Sequence, residues 1–249
     1  MPELPEAERA RQQIERALDR EIVAVDDTDT YVSRPHAPGE IAEALVGRKL
    51  TAAHRRGKFL WVETDDDGPD LGLHLGMAGR ISVDEEPVPR WDRFVLEFAD
   101  GGRLALRDKR RLGRAVIEPD FSHVGPDAAE VSRDKFRARV GKGSLALKAK
   151  LLDQSAIAGV GNLLADETLW RARLSPRRVA GELSDEELDN LRRQLRAATR
   201  DAIRNGGVHT GRFMPSREKG GSCPRCGTPL ARDTVGGRTT YWCPSCQPD

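Results

Sequence analysis

Two cysteine pairs near the end of the chain, CPRC at 223–226 and CPSC at 243–246, constrain the fold more than any other feature. Two residues separate the members of each pair, and 16 separate the pairs. That spacing suits a tetrahedral four-thiolate zinc site with each pair at the tip of a turn. Two disulfides, or reduced thiols without metal, are the alternatives. No basic N-terminal segment followed by an apolar one marks the chain for secretion, and in a reducing compartment such cysteines read first as metal ligands. Cys223, Cys226, Cys243 and Cys246 are therefore expected to hold one structural Zn2+. Four protein thiolates leave no open coordination position, so any chemistry must lie elsewhere. The run RTTYWC before the second pair has strand character, which makes the module a zinc β-hairpin.

The rest of the chain changes texture once. Residues 3–18 read as a helix, with Pro5 in its first turn and a thin apolar stripe from Ala7 to Leu18. From about 21 to 118 come short runs (EIVAV, KFLWVE, LGLHLGM, RISV, RFVLEF, RLALRD, RAVIEP) broken by Gly, Asp and Pro. That is the texture of an all-β region, with a short helix expected at 39–47. The strand pattern stops near 120, and Gly125-Pro126 suits a linker. Residues 132–206 read as helices, one of them long and opening on SDEE near 184. The expected organisation is a β-domain over 1–120, a linker over 121–131, a helical domain over 132–212 and the cysteine module over 213–249.

Net charge is +1, yet residues 132–249 carry 22 basic and 13 acidic side chains, and residues 1–131 carry 19 and 27. Such asymmetry suits two domains with different partners, the second polyanionic, or two solvated surfaces with none. No apolar run approaches the ~18 residues of a membrane span. The chain is expected in the cytoplasm, at the nucleoid if bacterial, with no membrane partner.

Several short motifs carry possible chemistry. MPELPE puts Pro2, Glu3 and Glu6 at the N-terminus, where chains are usually frayed. RRGKFLWVE puts Lys58 at the start of an apolar strand, as a phosphate anchor, a proton donor or an ordinary strand-end charge. HLGMAGR puts Met77 in a turn, and RDKRRLGR puts Arg110, Arg111 and Leu112 in another. Such apolar residues are lids on a core or, beside a DNA groove, wedges that unstack a base pair. GVGN puts Asn162 at a helix start, a geometry that binds phosphate or simply turns the chain. Arg238, in GGRTT at the hairpin turn, suits a phosphate or is an exposed turn arginine.

MPELPE, RRGKFL, HLGMAGR, Asp108–Gly113, GVGN-x-x-A-D-E and the terminal cysteine module follow one another across residues 2–247. In this order they resemble the formamidopyrimidine-DNA glycosylase/endonuclease VIII family of base-excision repair enzymes. The resemblance implies an α+β multidomain fold: a β-sandwich with an N-terminal helix, a helical domain with a helix–two-turn–helix, and the zinc β-hairpin, with DNA between the halves. It implies removal of Met1 and use of the Pro2 amine as nucleophile. An α-amino group titrates near ~8 and keeps a neutral fraction that a lysine near ~10.4 lacks. Glu3 becomes the general acid/base and Glu6 orients the site. Lys58 contacts the phosphate beside the lesion and assists catalysis. Asn162 and Arg238 pinch flanking phosphates, while Met77, Arg110 and Leu112, with Arg111 beside them on the DNA, fill the gap left by the flipped nucleotide.

Three departures point toward a divergent subfamily. PELPE itself resembles the formamidopyrimidine branch, but AERARQ after it is unlike the commonest family form. The wedge position usually aromatic in the oxoguanine-excising branch is Leu112. The stretch from 206 to Cys223 is short where that branch carries a longer loop, which leans toward oxidised pyrimidines, ring-opened purines or abasic sites. The expected function is a monomeric, bifunctional DNA glycosylase/AP lyase acting on damaged double-stranded DNA by β,δ-elimination, with no small-molecule cofactor. A non-catalytic lesion or abasic-site binder that kept the fold is the rival, and Pro2, Glu3 and Lys58 together argue against it.

Overall fold

A computed structural model describes all residues 1–249. The chain divides into two compact units, and the division falls in an unexpected place. One unit is Met1–Pro2 with Ala7–Ser122, and the other is Glu3–Glu6 with His123–Asp249. The first helix, α1 (Leu4–Ile14), thus begins among the residues of the second unit and continues in the first.

The first unit holds eight strands in two antiparallel sheets. In chain order they are β1 (Ile22–Asp26), β2 (Leu50–Arg56), β3 (Phe59–Thr64), β4 (Leu71–His74), β5 (Arg80–Val83), β6 (Asp92–Phe98), β7 (Arg103–Arg107) and β8 (Arg114–Ile117). One sheet is ordered β1-β6-β7-β5 and the other β2-β3-β4-β8. Alternation fixes which face each strand buries. In β3, Leu60 and Val62 enter the core, while Phe59 and Trp61 lie on the opposite face against His74, Phe121 and His54. A cavity of about 220 Å³ opens on that outer face. Ala7, Ala10 and Ile14 of α1 share the core with Leu60, Phe94 and Leu104. Two short helices, α2 (Thr30–Ser33) and α3 (Glu40–Leu45), cover the early strands.

The short helix expected at 39–47 is α3, and the seven apolar runs all become strands. Strand β2 was not among them: LTAAHRR lacks the clean alternation that marks the others, and it owes its strand state to pairing with β3.

The second unit is helical: α4 (Arg133–Val140), α5 (Leu147–Leu152), α6 (Asn162–Ala172) and α7 (Asp185–Asn205). Leu147, Leu164, Leu169, Leu191 and Leu195 lie in one core, and Leu4 joins them. Helix α7 starts as SDEE suggests. Ser184 and Glu187 form a reciprocal capping box, and Gly206 ends the helix in the left-handed conformation. The hairpin β9 (Ala231–Val235) and β10 (Arg238–Trp242) closes the chain. A small cluster of Trp170, Phe213, Cys223 and Cys243 packs its cysteine end.

Candidate active site

The N-terminal hexapeptide is not frayed. Glu3 is buried to 1% exposure, and its carboxylate accepts N–H bonds from Gly161 (3.0 Å), Leu163 (2.9 Å) and Leu164 (3.0 Å) at the start of α6. A helix N-terminus presents unpaired N–H groups and the positive end of its dipole, so this seat favours a carboxylate. Gly161 is required: a Cβ there would lie 2.3 Å from the Glu3 carboxyl carbon. Glu6 holds the peptide from the other side. One of its oxygens accepts the N–H of Glu3 (2.9 Å) and the other the N–H of Val208 (2.8 Å). Leu4 adds a backbone bond to Gly159 at 3.0 Å. Glu3 is therefore brought to the start of α6 beside Asn162, and Glu6 ties the peptide to the Val208 turn.

Asn162 is the first residue of α6, with Gly161 as its N-cap. Its side-chain amide donates to the Thr239 carbonyl at 3.2 Å, and its carboxamide oxygen is enclosed without a partner. Arg238 is exposed at the start of β10, next to the glycines of the hairpin turn. The four cysteine sulfurs lie within 4.8 Å of one another, which fits one tetrahedral metal ion. The indole N–H of Trp170 points at the Cys223 sulfur from 3.4 Å, the kind of outer-shell donor a zinc-bound thiolate accepts. The chain holds one structural zinc at this site.

In the first unit, Lys58 sits half-buried at the turn between β2 and β3. Met77 and Leu112 are 39% and 41% exposed, unusual for such side chains. Their turns are locked together. Gly76 has φ +57°, and a Cβ on it would lie 2.4 Å from the Leu112 carbonyl. The buried carboxylate of Asp108 accepts N–H bonds from Arg110, Leu112 and Gly113 at 2.9, 2.7 and 2.8 Å. Arg110 points outward from this loop as an exposed residue. Arg111 behaves differently: it forks onto Asp29 (2.8 and 2.9 Å) and lies 4.4 Å over the Tyr31 ring. Its guanidinium ties the loop to Asp29 while the side chain stays 42% exposed. His74 completes the arrangement by accepting the Gly76 N–H at Nδ1 (3.1 Å). Burial, and secondarily the nearby Lys58 charge, push the His74 pKa below its ordinary value.

Sequence reasoning passed over Asp29 and gave no role to His74 and Asp108, which lie within quoted motifs, or to Lys148, Asp166 and Glu167, the last two also within one. The signal for the last three was present: a lysine within the apolar LALKAKLL and two acids in the apolar helix NLLADETLW are costly unless paired.

The chain thus joins a two-sheet unit, a helical unit with a four-cysteine hairpin, and a buried N-terminal carboxylate seated on a helix start. Sequence profiles agree across the chain. The formamidopyrimidine-DNA glycosylase N-terminal domain matches residues 1–115, that enzyme's H2TH domain residues 124–213, and the zinc finger found in FPG and IleRS residues 220–248. A formamidopyrimidine-DNA glycosylase from Nocardioides sp. is 36% identical over 280 residues, covering 100% of this chain and 95% of the relative. Lactococcus lactis Fpg in complex with abasic-site DNA superposes with a TM-score of 0.87 at 27% identity, covering 99% of this chain and 100% of that one. The same enzyme bound to oxidised-pyrimidine DNA gives 0.87 at 28% identity, with full coverage of both chains. The chain belongs to the formamidopyrimidine-DNA glycosylase family, whose members are N-glycosylases with AP lyase activity.

Proposed function

We propose that the chain excises oxidised or ring-opened bases from double-stranded DNA and then cuts the strand, using the amine of Pro2 once Met1 is removed. The observation that carries this reading is the burial of Glu3 on the α6 N-terminus, which fixes the neighbouring Pro2 instead of leaving it to fray. While Met1 is present, the Pro2 nitrogen is an amide and is not a nucleophile. As a free secondary amine it attacks the sugar C1′ and the base leaves with its bonding electrons. Glu3 shuttles the protons that open the sugar ring. The resulting iminium withdraws electrons, which permits loss of the 3′ phosphate by β-elimination and of the 5′ phosphate by δ-elimination.

Lys58 serves as a phosphate anchor beside the lesion, and Asn162 and Arg238 hold flanking phosphates. Met77, Arg110 and Leu112 fill the stack where the nucleotide is flipped out, which offsets an unstacking cost of a few kcal/mol. Arg111 acts through the loop and not on the DNA, because Asp29 and Tyr31 already engage it. Zinc supplies only structure. The protein works as a monomer without a small-molecule cofactor.

Borohydride trapping on duplexes carrying an abasic site, 8-oxoguanine, a ring-opened purine or an oxidised pyrimidine tests the proposal. A covalent adduct is expected with the wild type and is much reduced with Pro2→Gly, which exchanges the secondary amine for a primary one. The best-trapped lesion identifies the preferred substrate, expected among the oxidised pyrimidines, ring-opened purines and abasic sites. Tight binding with no adduct on any duplex leaves a lesion-binding protein instead of an enzyme.

A further inference from the structure

Beneath Asn162 lies a group of charges to which no role in the reaction has been given. Lys148 of α5 is completely buried, and its ammonium stands 2.6 Å from Asp166 Oδ1, itself 1% exposed, one turn down α6 from Asn162. The other Asp166 oxygen accepts Arg217 Nε at 2.7 Å. Three ionic groups in one interior are expensive, and an apolar set of similar volume commonly gives equal or better stability. Stability alone therefore does not account for Lys148.

The contacts of this group suggest what it does. Lys148 donates to the Thr240 hydroxyl at 2.7 Å, and that hydroxyl donates to the Arg238 carbonyl at 2.9 Å. Arg217 donates to the Thr239 carbonyl at 2.8 Å, the same oxygen that accepts Asn162 Nδ2. The glycine turn of the hairpin also rests on α5, since a Cβ at Gly236 would lie 2.9 Å from Ala149 Cα. The zinc end of β10 has its own anchor in the Trp170, Phe213 and cysteine cluster. Arg238 stands five residues away, roughly 17 Å along an extended strand. A metal at one end does not fix the other end over that length.

The geometry points to Lys148 as a positioning residue for DNA recognition. Paired with Asp166, it holds the tip of the zinc hairpin in register with the start of α6, so that Arg238 and Asn162 present a fixed spacing to two phosphates. This rests on the phosphate roles given above to those two residues.

The test uses Lys148→Met in the full zinc-loaded protein, with Lys148→Met/Asp166→Asn as the companion that leaves no unpaired acid and still offers Arg217 an acceptor. Binding to a duplex with a tetrahydrofuran abasic analogue is measured between about 50 and 200 mM salt, beside Arg238→Ala alone and combined with each variant. Zinc content is expected to match wild type in both variants; the single variant melts lower because it strands Asp166, and the double variant is expected to melt at or above wild type. Lesion affinity is expected to fall about 10-fold or more, and the slope of log K against log salt to decrease by about one phosphate contact. Arg238→Ala should then cost little further in the variant background, although it costs the full amount in wild type. A purely structural Lys148 would move the melting temperature and leave the slope and the Arg238 cost unchanged, which overturns the proposal. If Arg238→Ala has no effect in wild type, the phosphate role of Arg238 is wrong and the positioning role falls with it; the two failures are told apart by that single control.

Discussion

In the sandwich unit the buried carboxylates of Asp27 and Asp108 accept backbone N–H bonds from a helix start and a loop. In the helical unit the buried acids Asp166 and Glu167 face Lys148, Arg217 and Arg171, and both stand on one helix. The difference reflects what each unit must hold. The sandwich has a buried ion pair of its own, Arg107 with Asp92 at 2.5 Å, but its loops are pinned by acids that each gather three amides at one point. The helical unit must dock segments that have little apolar surface: a short zinc hairpin and a stretch from 206 to 222 with few hydrophobic residues. There, ion pairs and backbone bonds to buried acids replace apolar packing. Glu167 shows the pattern, accepting the N–H groups of Arg212 (3.1 Å) and Phe213 (2.8 Å) while pairing with Arg171.

The largest effect that sharpens this contrast is zinc removal. A four-thiolate site contributes on the order of 10 kcal/mol to the fold that forms it. Chelation, or Cys223→Ser, is expected to abolish lesion binding and to deprotect amides of the hairpin and α6 in hydrogen exchange, while β1–β8 keep their protection. Loss of protection spread evenly over both units would break the contrast. The next effect belongs to the sandwich. Asp108→Ala leaves three N–H groups without their acceptor and is expected to cost about 3 kcal/mol in urea unfolding, with roughly a tenfold loss in lesion affinity as the Leu112 turn loosens. Asp108→Asn, which keeps one acceptor oxygen, should recover part of both. An Asp108→Ala protein of wild-type stability would show that the loop does not depend on this acid.

These sensitivities were unevenly legible in the sequence. Periodicity and turn residues identified seven of the strands, the long α7 and the hairpin, because each has a local pattern. Strand β2 was missed because LTAAHRR has none and borrows its state from β3. The site divides the same way. The cysteine spacing, the N-terminal acids and the glycine turns are local signals, and the residues they singled out can be followed one by one to α6, the hairpin and the paired turns. The Asp29–Arg111 pair spans 82 positions and the Lys148–Thr240 bond 92, so neither leaves a mark that a window of neighbouring residues can show. Arg111 and Arg110 are adjacent, yet φ +55° at Arg111 turns the backbone there, and the Arg111 side chain pairs with Asp29 while Arg110 is exposed.

The smallest expected effect is a pH dependence that belongs to the sandwich alone. His74 holds the Met77 turn by accepting the Gly76 N–H at Nδ1, which a protonated ring is unable to do. Burial, with the Lys58 charge adding to it, keeps the folded pKa below the ordinary value near 6.5. Above that value the ring is neutral in both states and His74 adds no pH dependence. As pH falls through 6.5 the unfolded chain takes up a proton that the folded chain refuses. Stability then drops, by at most about 1.4 kcal/mol per pH unit, until the depressed folded pKa is reached. Unfolding of wild type and His74→Gln at pH 7.5 and 5.5 isolates this contribution, because the carboxylates common to both proteins cancel in the comparison. The wild type should lose more stability than the variant over that interval, and Met77-dependent lesion binding should weaken with it. Equal losses would mean that His74 ionises freely and that Gly76 is held by its close approach to Leu112 alone.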